Sequence, residues 1–264
     1  TAGRASSSIP AQPRRFGFGE MTASHWSDYH SRWSRLGPPL RPTKDVVEAM
    51  SRAIARHVGP TLLLGVTSEL AGIAMDLTAV DRSPEMIRGL WPGDTEGRRA
   101  TCANWLALPF ANATFATAVG DGSLNALRYP EGYEQLFAEL ERVLVKGGRA
   151  VIRVFLRPQS PEPLADVCAA AQAGRFSSFH AFKWRFAMAL AARAGDPNIA
   201  VRAIHEAFLA ELPDRADLAR RTGWEAPDID TIDVYRDSSE VYTFPTADEL
   251  FLAVPPRVQR TELR

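Results

Sequence analysis

A chain of 264 residues with 45% hydrophobic and 23% charged side chains is long enough to bury a full core as one large domain with an embellishment, without disulfide or metal. Its 31 basic side chains balance 31 acidic ones, which argues against nucleic acid or an anionic membrane as partner. Cys102 and Cys168 are too few and too far apart for a zinc site and read as reduced thiols of a cytoplasmic protein, and no apolar run reaches the ~18 residues of a membrane span.

In chain order, residues 1–20 read as a flexible tail, rich in Ser, Ala and Arg between Thr1 and Arg15. His25, Trp26, Tyr29, His30 and Trp33 follow at near-helical spacing, ahead of the Gly37-Pro38-Pro39 break. This segment is either a lid over a ligand or an amphipathic arm covering a sheet face. Asp45 to His57 places Val46, Val47, Met50 and Ile54 on one helical stripe that Pro60 ends.

The stretch Thr61 to Ser83 reads as strand, glycine turn, helix, second strand and terminal acid. Leu62 to Leu64 suit a strand buried on both faces, Gly65 turns the backbone, Ser68 to Met75 fills the crossover, and Leu77 to Val80 ends at Asp81. In an open parallel sheet both tips lie at one carboxyl edge, where a carboxylate accepts hydrogen bonds from a ribose diol. A nucleotide-type cofactor is the first functional expectation.

Ser83-Pro84-Glu85 opens a helix through Leu90, with Ser83 as N-cap. A third strand is expected over Arg99 to Ala103, and a fourth over Thr117 to Gly120 with Asp121-Gly122 at its tip. Glu131 to Leu144 reads as a helix, and Lys146-Gly147-Gly148 turns it into a fifth strand, Arg149 to Phe155. The alternation predicts a Rossmann-like, doubly wound α/β fold, its mainly parallel sheet carrying helices on both faces. After Pro158 a helical insertion is expected over residues 159–228, and residues 229–264 complete the single domain. Within that last segment Ile229 to Tyr235 alternates as a strand, and Pro245 leads into a short helix.

The series LLLGVTSELA, LTAVDRSPEMI, CANWLALPFANATFATAVGDG and LERVLVKGGRAVIRVF is similar, in order and spacing, to the class I S-adenosylmethionine-dependent methyltransferases. It covers about Asp45 to Pro158, and its most specific part joins Leu108-Pro109-Phe110, the fourth strand and the Lys146-Gly147-Gly148 turn. The resemblance implies S-adenosylmethionine as cofactor. Gly65 would let the backbone approach its methionine part, with Thr67 in the same turn, and Asp81 would hold the ribose. Asn104, where the family has an acid, would accept from the adenine amino group. Trp105 would present a backbone N–H to the purine, Arg82 would cover its other face, and Asp121 would stand where cofactor and acceptor meet.

The first motif departs from the family pattern: Leu63 stands where an acid is usual, and Val66, Thr67, Ser68 and Glu69 replace further glycines. Glu69 or Asp121 would then take the cofactor's amino group, the alternative for Glu69 being a place in the first turn of a helix, favourable to its dipole. On the acceptor side the candidates are Trp26, Tyr29, Trp33, Phe179 and Lys183, with His180 or His25 as proton acceptor. The alternative for Phe179, Phe182, Trp184 and Phe186 is a helix packed on the sheet.

The family sheet ends in a strand and an antiparallel return, for which only Arg257 to Arg264 remains. The hairpin is therefore abbreviated or lies beyond Arg264, and an exposed edge would favour a dimer over a monomer. The favoured function is methyl transfer to a small molecule. A non-catalytic cofactor-binding or regulatory domain is the second reading. A nicotinamide-dependent oxidoreductase is the third, disfavoured because GVTSEL lacks the successive glycines a pyrophosphate needs.

Overall fold

The computed structural model describes residues 25–256, so the expectations for residues 1–20 and for Arg257 to Arg264 lie outside the described residues. Its centre is a five-stranded, wholly parallel sheet in the order β3-β2-β1-β4-β5. A short helix α1 (Trp26–Tyr29) runs into a 3-10 turn over His30–Arg35, and α2 (Lys44–Ile54) delivers the chain to β1 (Thr61–Leu64). There follow β2 (Leu77–Asp81), α3 (Pro84–Leu90), β3 (Arg98–Cys102), β4 (Phe115–Asp121), α4 (Glu131–Val143) and β5 (Leu144–Arg153).

Strand periodicity sends neighbouring side chains to opposite faces, and the core divides accordingly. Leu62 and Leu64 of β1 join Val80, Phe115, Ala118 and the α4 residues Tyr133, Leu136, Leu140 and Val143 on one face. Leu63 joins Ala79, Val119, Met50 and Ile54 of α2, Met86 and Leu90 of α3 and the later helices on the other. α3 starts where the sequence places it, with Ser83 Oγ accepting the Met86 N–H at 3.2 Å and Pro84 in the first turn.

Three elements differ from expectation. The β1–β2 crossover holds no α-helix, only a 3-10 turn over Ser68–Leu70. So short a segment, interrupted by Gly72, gains little from helix nucleation, whereas burying Leu70 and Ala71 fixes it. Glu69 therefore has no helix dipole to serve. The fifth strand begins at Leu144, directly after α4, and the Lys146-Gly147-Gly148 segment lies inside it, where the β4 register shifts between Phe115 and Thr117. Gly147 takes φ +77° in that irregular stretch. Ile229 to Tyr235 is helical rather than extended: Ile229, Ile232 and Tyr235 are buried at a spacing of three, the period of the 3-10 turn that forms there.

Beyond β5 come α5 (Leu164–Gln172), α6 (Phe179–Ala194), β6 (Asn198–Ala200), α7 (Val201–Glu211), α8 (Arg215–Thr222), α9 (Ala226–Ile229), β7 (Val241–Thr243) and α10 (Ala247–Ala253). β6 and β7 form a separate antiparallel pair, and among the described residues no further strand pairs with β5. α6 is capped by Ser178 Oγ, which accepts the Ala181 N–H, and by Gly195 in the left-handed region. It is buried nearly all round: Phe182 stacks on Trp224 at 5.6 Å, and Phe179 and Phe186 pack against Phe208. α10 starts with a reciprocal cap between Thr246 and Glu249.

Candidate functional site

The carboxyl ends of β1, β2 and β4, the loop after β3, the N-terminal helix, α6 and β7 enclose a cavity of about 200 Å³. Of the residues predicted for the cofactor, Gly65, Thr67, Asp81, Arg82, Asn104, Trp105 and Asp121 line it. Glu69 does not. Trp26, Tyr29 and Trp33 line the other side, together with Phe155, Trp184 and Tyr242.

Gly65 takes φ +102°, a conformation other residues adopt only under strain, and its N–H donates to Val80 O at 2.8 Å. Trp105 donates its indole N–H to the same carbonyl at 2.6 Å, and its ring lies 3.8 Å from where a Gly65 Cβ would stand. The side chain of Trp105 thus forms part of the floor beside the glycine turn. Asn104 Oδ1 accepts the Leu106 N–H at 3.0 Å, which shapes the loop and leaves the oxygen a second lone pair.

Asp81 Oδ1 accepts the Ser83 N–H at 2.8 Å. A carboxylate has about four acceptor sites, so a diol can still be held. Burial raises its carboxyl to about 6, opposed by the Ser83 N–H and by the charge of Arg82.

Asp121 is almost wholly buried and forms a two-pronged ion pair with Arg153, whose Nη2 lies 2.9 Å from Asp121 Oδ2 and donates also to Pro39 O. Burial raises its carboxyl and Arg153 opposes that. Glu69 accepts from Arg41 at 2.5 Å and from Ser68 Oγ at 3.1 Å. Both acids weighed as replacements for the missing one are therefore held by arginines of the fold, and only Asp121 lines the cavity.

The histidines are placed elsewhere. His180 Nε2 donates to Arg35 O at 2.9 Å, at the far end of the N-terminal segment, and burial lowers its pKa to about 4. His25 stands behind Tyr242, with Nε2 2.8 Å from the Tyr242 hydroxyl and Nδ1 2.9 Å from Ser238 Oγ; burial, then Lys183 and Arg82, lower it to about 3. Neither imidazole lines the cavity.

Phe179 and Lys183 also fall short of it, because α6 turns them into the core. Lys183 Nζ has no hydrogen-bond partner, lies 4.7 Å from the Tyr235 ring centroid, and is lowered to about 7 by burial and by Arg32. Trp184, one step around the helix, reaches the cavity instead. Its place in the aromatic cluster of α6 was a signal; Tyr242 gave none, since only the chain path brings β7 there.

Residues 64–152 match a family described as a methyltransferase domain. No curated protein sequence matches the chain. Among solved structures, one from Rhodobacter sphaeroides, provisionally described as a zinc-dependent alcohol dehydrogenase, is 13% identical with a TM-score of 0.53, over 87% of this chain and 86% of that one. The N-methyltransferase NodS of Bradyrhizobium japonicum WM9, in complex with S-adenosylhomocysteine, is 16% identical with a TM-score of 0.39, over 49% and 72%. A SAM-dependent methyltransferase of Methanosarcina mazei is 17% identical with a TM-score of 0.43, over 76% and 81%. Only the first of these has a TM-score above one half, and at 13% identity it speaks to the fold alone; the described residues hold no cluster of three or more His, Cys, Asp or Glu suited to a metal ion.

Fold and matched segment define a class: a Rossmann-like domain with a carboxylate at the tip of β2 and a bare glycine turn at the tip of β1. Over residues 64–152 the chain is similar to a methyltransferase domain, and S-adenosylmethionine is the cofactor that the sequence resemblance implies for it. The residues present fit that group: Gly65 leaves backbone uncovered, Asp81 keeps free acceptor capacity, and Ser123 Oγ on the cavity wall has no hydrogen-bond partner. Neither the oxidoreductase nor the non-catalytic reading is favoured.

Proposed function

We propose that the protein transfers the methyl group of S-adenosylmethionine to a small-molecule acceptor held in the aromatic half of the cavity. The observation that supports this most is the division of one cavity into two walls. Strand tips with Gly65 and Asp81 form one, and Trp26, Tyr29, Trp33, Trp184 and Tyr242 form the other. The cofactor's sulfonium supplies an electrophilic methyl group, so the protein's task is alignment in a site closed to water. Asp81 orients the ribose, the Gly65 turn admits the methionine part, and the aromatic wall faces the sulfonium favourably while excluding water.

His25 and His180 are neutral at physiological pH and lie outside the cavity, so neither is assigned a proton-transfer role. Equal basic and acidic counts and two unpaired cysteines support a small-molecule enzyme of the cytoplasm without a nucleic-acid or membrane partner. No helix among the described residues is long and apolar enough to cross a membrane. The edge of β5, which no strand among the described residues covers, is compatible with a monomer or a homodimer.

Calorimetry with S-adenosylmethionine, S-adenosylhomocysteine and NAD, with Asp81→Ala as control, tests the reading. Micromolar binding of the first two, weakened by the substitution, supports it. A preference for NAD, or affinity indifferent to Asp81, would remove it.

A further inference from the structure

Of the three charged side chains that line the cavity, two are paired with an opposite charge of the fold. Asp121 is paired with Arg153, and Arg82 with Glu240 at 2.5 Å. Asp81 has no such partner, and it stands on the cofactor side. On the opposite wall the side chains are aromatic, with hydroxyls at Tyr29 and Tyr242 and unpartnered indole N–H groups at Trp33 and Trp184, and none of them carries a charge. Burial keeps Tyr29 and Tyr242 well above the ordinary phenol range, and His25 behind Tyr242 is uncharged for the same reason.

Two aromatic faces near this wall already hold a cation of the protein. The Arg153 guanidinium lies 4.7 Å from the Phe155 centroid, and Lys183 Nζ is equally close to Tyr235 behind the wall. A cationic acceptor would add a further positive charge beside these and beside the sulfonium. An anionic acceptor would meet arginines whose charge is already matched by carboxylates. Either would lose its hydration without a counter-ion, whereas a flat ring loses little and finds Tyr242 in edge-to-face contact with both Trp26 and Trp184, the Trp184 and Tyr242 centroids lying 5.1 Å apart.

From this wall we infer that the acceptor is an uncharged, flat, ring-bearing small molecule that packs against Trp184 and Tyr242. The inference rests on the methyl-transfer reading and gives its substrate class.

Three probes sharing one ring test it: 2-naphthol, 2-naphthoate and 2-naphthylmethylamine, titrated calorimetrically into the full chain at neutral pH, with and without S-adenosylhomocysteine. The expected result is 2-naphthol binding at least about tenfold more tightly than either charged probe, and a loss of about tenfold for 2-naphthol in Trp184→Ala that exceeds any change in S-adenosylhomocysteine affinity. Trp26→Ala, at a half-buried position of the same wall, gives the same readout if Trp184→Ala does not fold. Equal or tighter binding of a charged probe, no naphthyl binding at all, or indifference to both substitutions would overturn the inference. Failure of S-adenosylhomocysteine to bind, with the 2-naphthol preference intact, would instead overturn the methyl-transfer reading and leave the pocket's selectivity standing.

Discussion

Replacing Asp81 by asparagine separates what the carboxylate does for the cofactor from what it does to the fold. Burial moves its carboxyl from 3.8 to about 6. That corresponds to about 3 kcal/mol against the ionised form. The folded state holds the proton more tightly than the unfolded one, so stability falls as pH rises from about 4 to about 6, and the full penalty is present above that range. Asparagine keeps the shape and an oxygen for the Ser83 N–H and removes the charge. Asp81→Asn is therefore expected to be more stable at pH 8 by up to ~3 kcal/mol, and this margin is expected to shrink to about half by pH 5. S-adenosylmethionine affinity is expected to fall by about tenfold or more at pH 8, because a charged acceptor of ribose hydroxyls is replaced by a neutral one. Urea denaturation at the two pH values, with calorimetry at pH 8, reads both effects. A variant no more stable than the parent at pH 8, or a margin that does not change with pH, would refute the reasoning.

Arg153→Met leaves Asp121 charged and buried without its partner, so chemical denaturation should show a loss of about 3–5 kcal/mol, much of it recovered in the double variant with Asp121→Asn. Lys183→Met should be more stable than the parent at pH 7. The amine is lowered from 10.5 to about 7 in the fold, so the unfolded chain binds the extra proton between those values, the parent gains stability as pH rises, and the gap between the two should close toward pH 10. Gly65→Ala forces a side chain into φ +102°, in ordinary contact with the Trp105 ring, so the backbone strain should cost about 1–3 kcal/mol of stability, with weaker cofactor binding in calorimetry. His180→Phe should leave S-adenosylhomocysteine affinity unchanged, since the imidazole faces Arg35 O and not the cavity.

The strands that build the sheet were legible because their signals are local. Leu62 to Leu64, Leu77 to Asp81 and the Ser83-Pro84 start of α3 carry burial, tip and cap within a few residues, and the structure places them within a residue of expectation. Where the signal was ambiguous the period misled. Ile229, Ile232 and Tyr235 fit a spacing of three as well as they fit alternation, and packing chose the helical turn. The crossover after Gly65 read as a helix from the order of elements, but its length decided otherwise.

Of the candidate site, the sequence by itself brought Gly65, Asp81, Asn104 and Asp121 to one cavity, because they sit at strand ends or just beyond, and a parallel sheet brings such ends to one edge whatever surrounds them. Tertiary structure decided the rest of the aromatic wall, beyond the Trp26, Tyr29 and Trp33 that the sequence offered. Which side of α6 faces the cavity depends on the helices packed around it, so Trp184 points in while Phe179 and Lys183 point away. Tyr242 arrives from β7, far along the chain, and so does the Glu240 that neutralises Arg82. Pairing of charges across long separations leaves no mark on a local pattern, and that pairing is what matches Arg82 and Asp121 at the cavity with opposite charges.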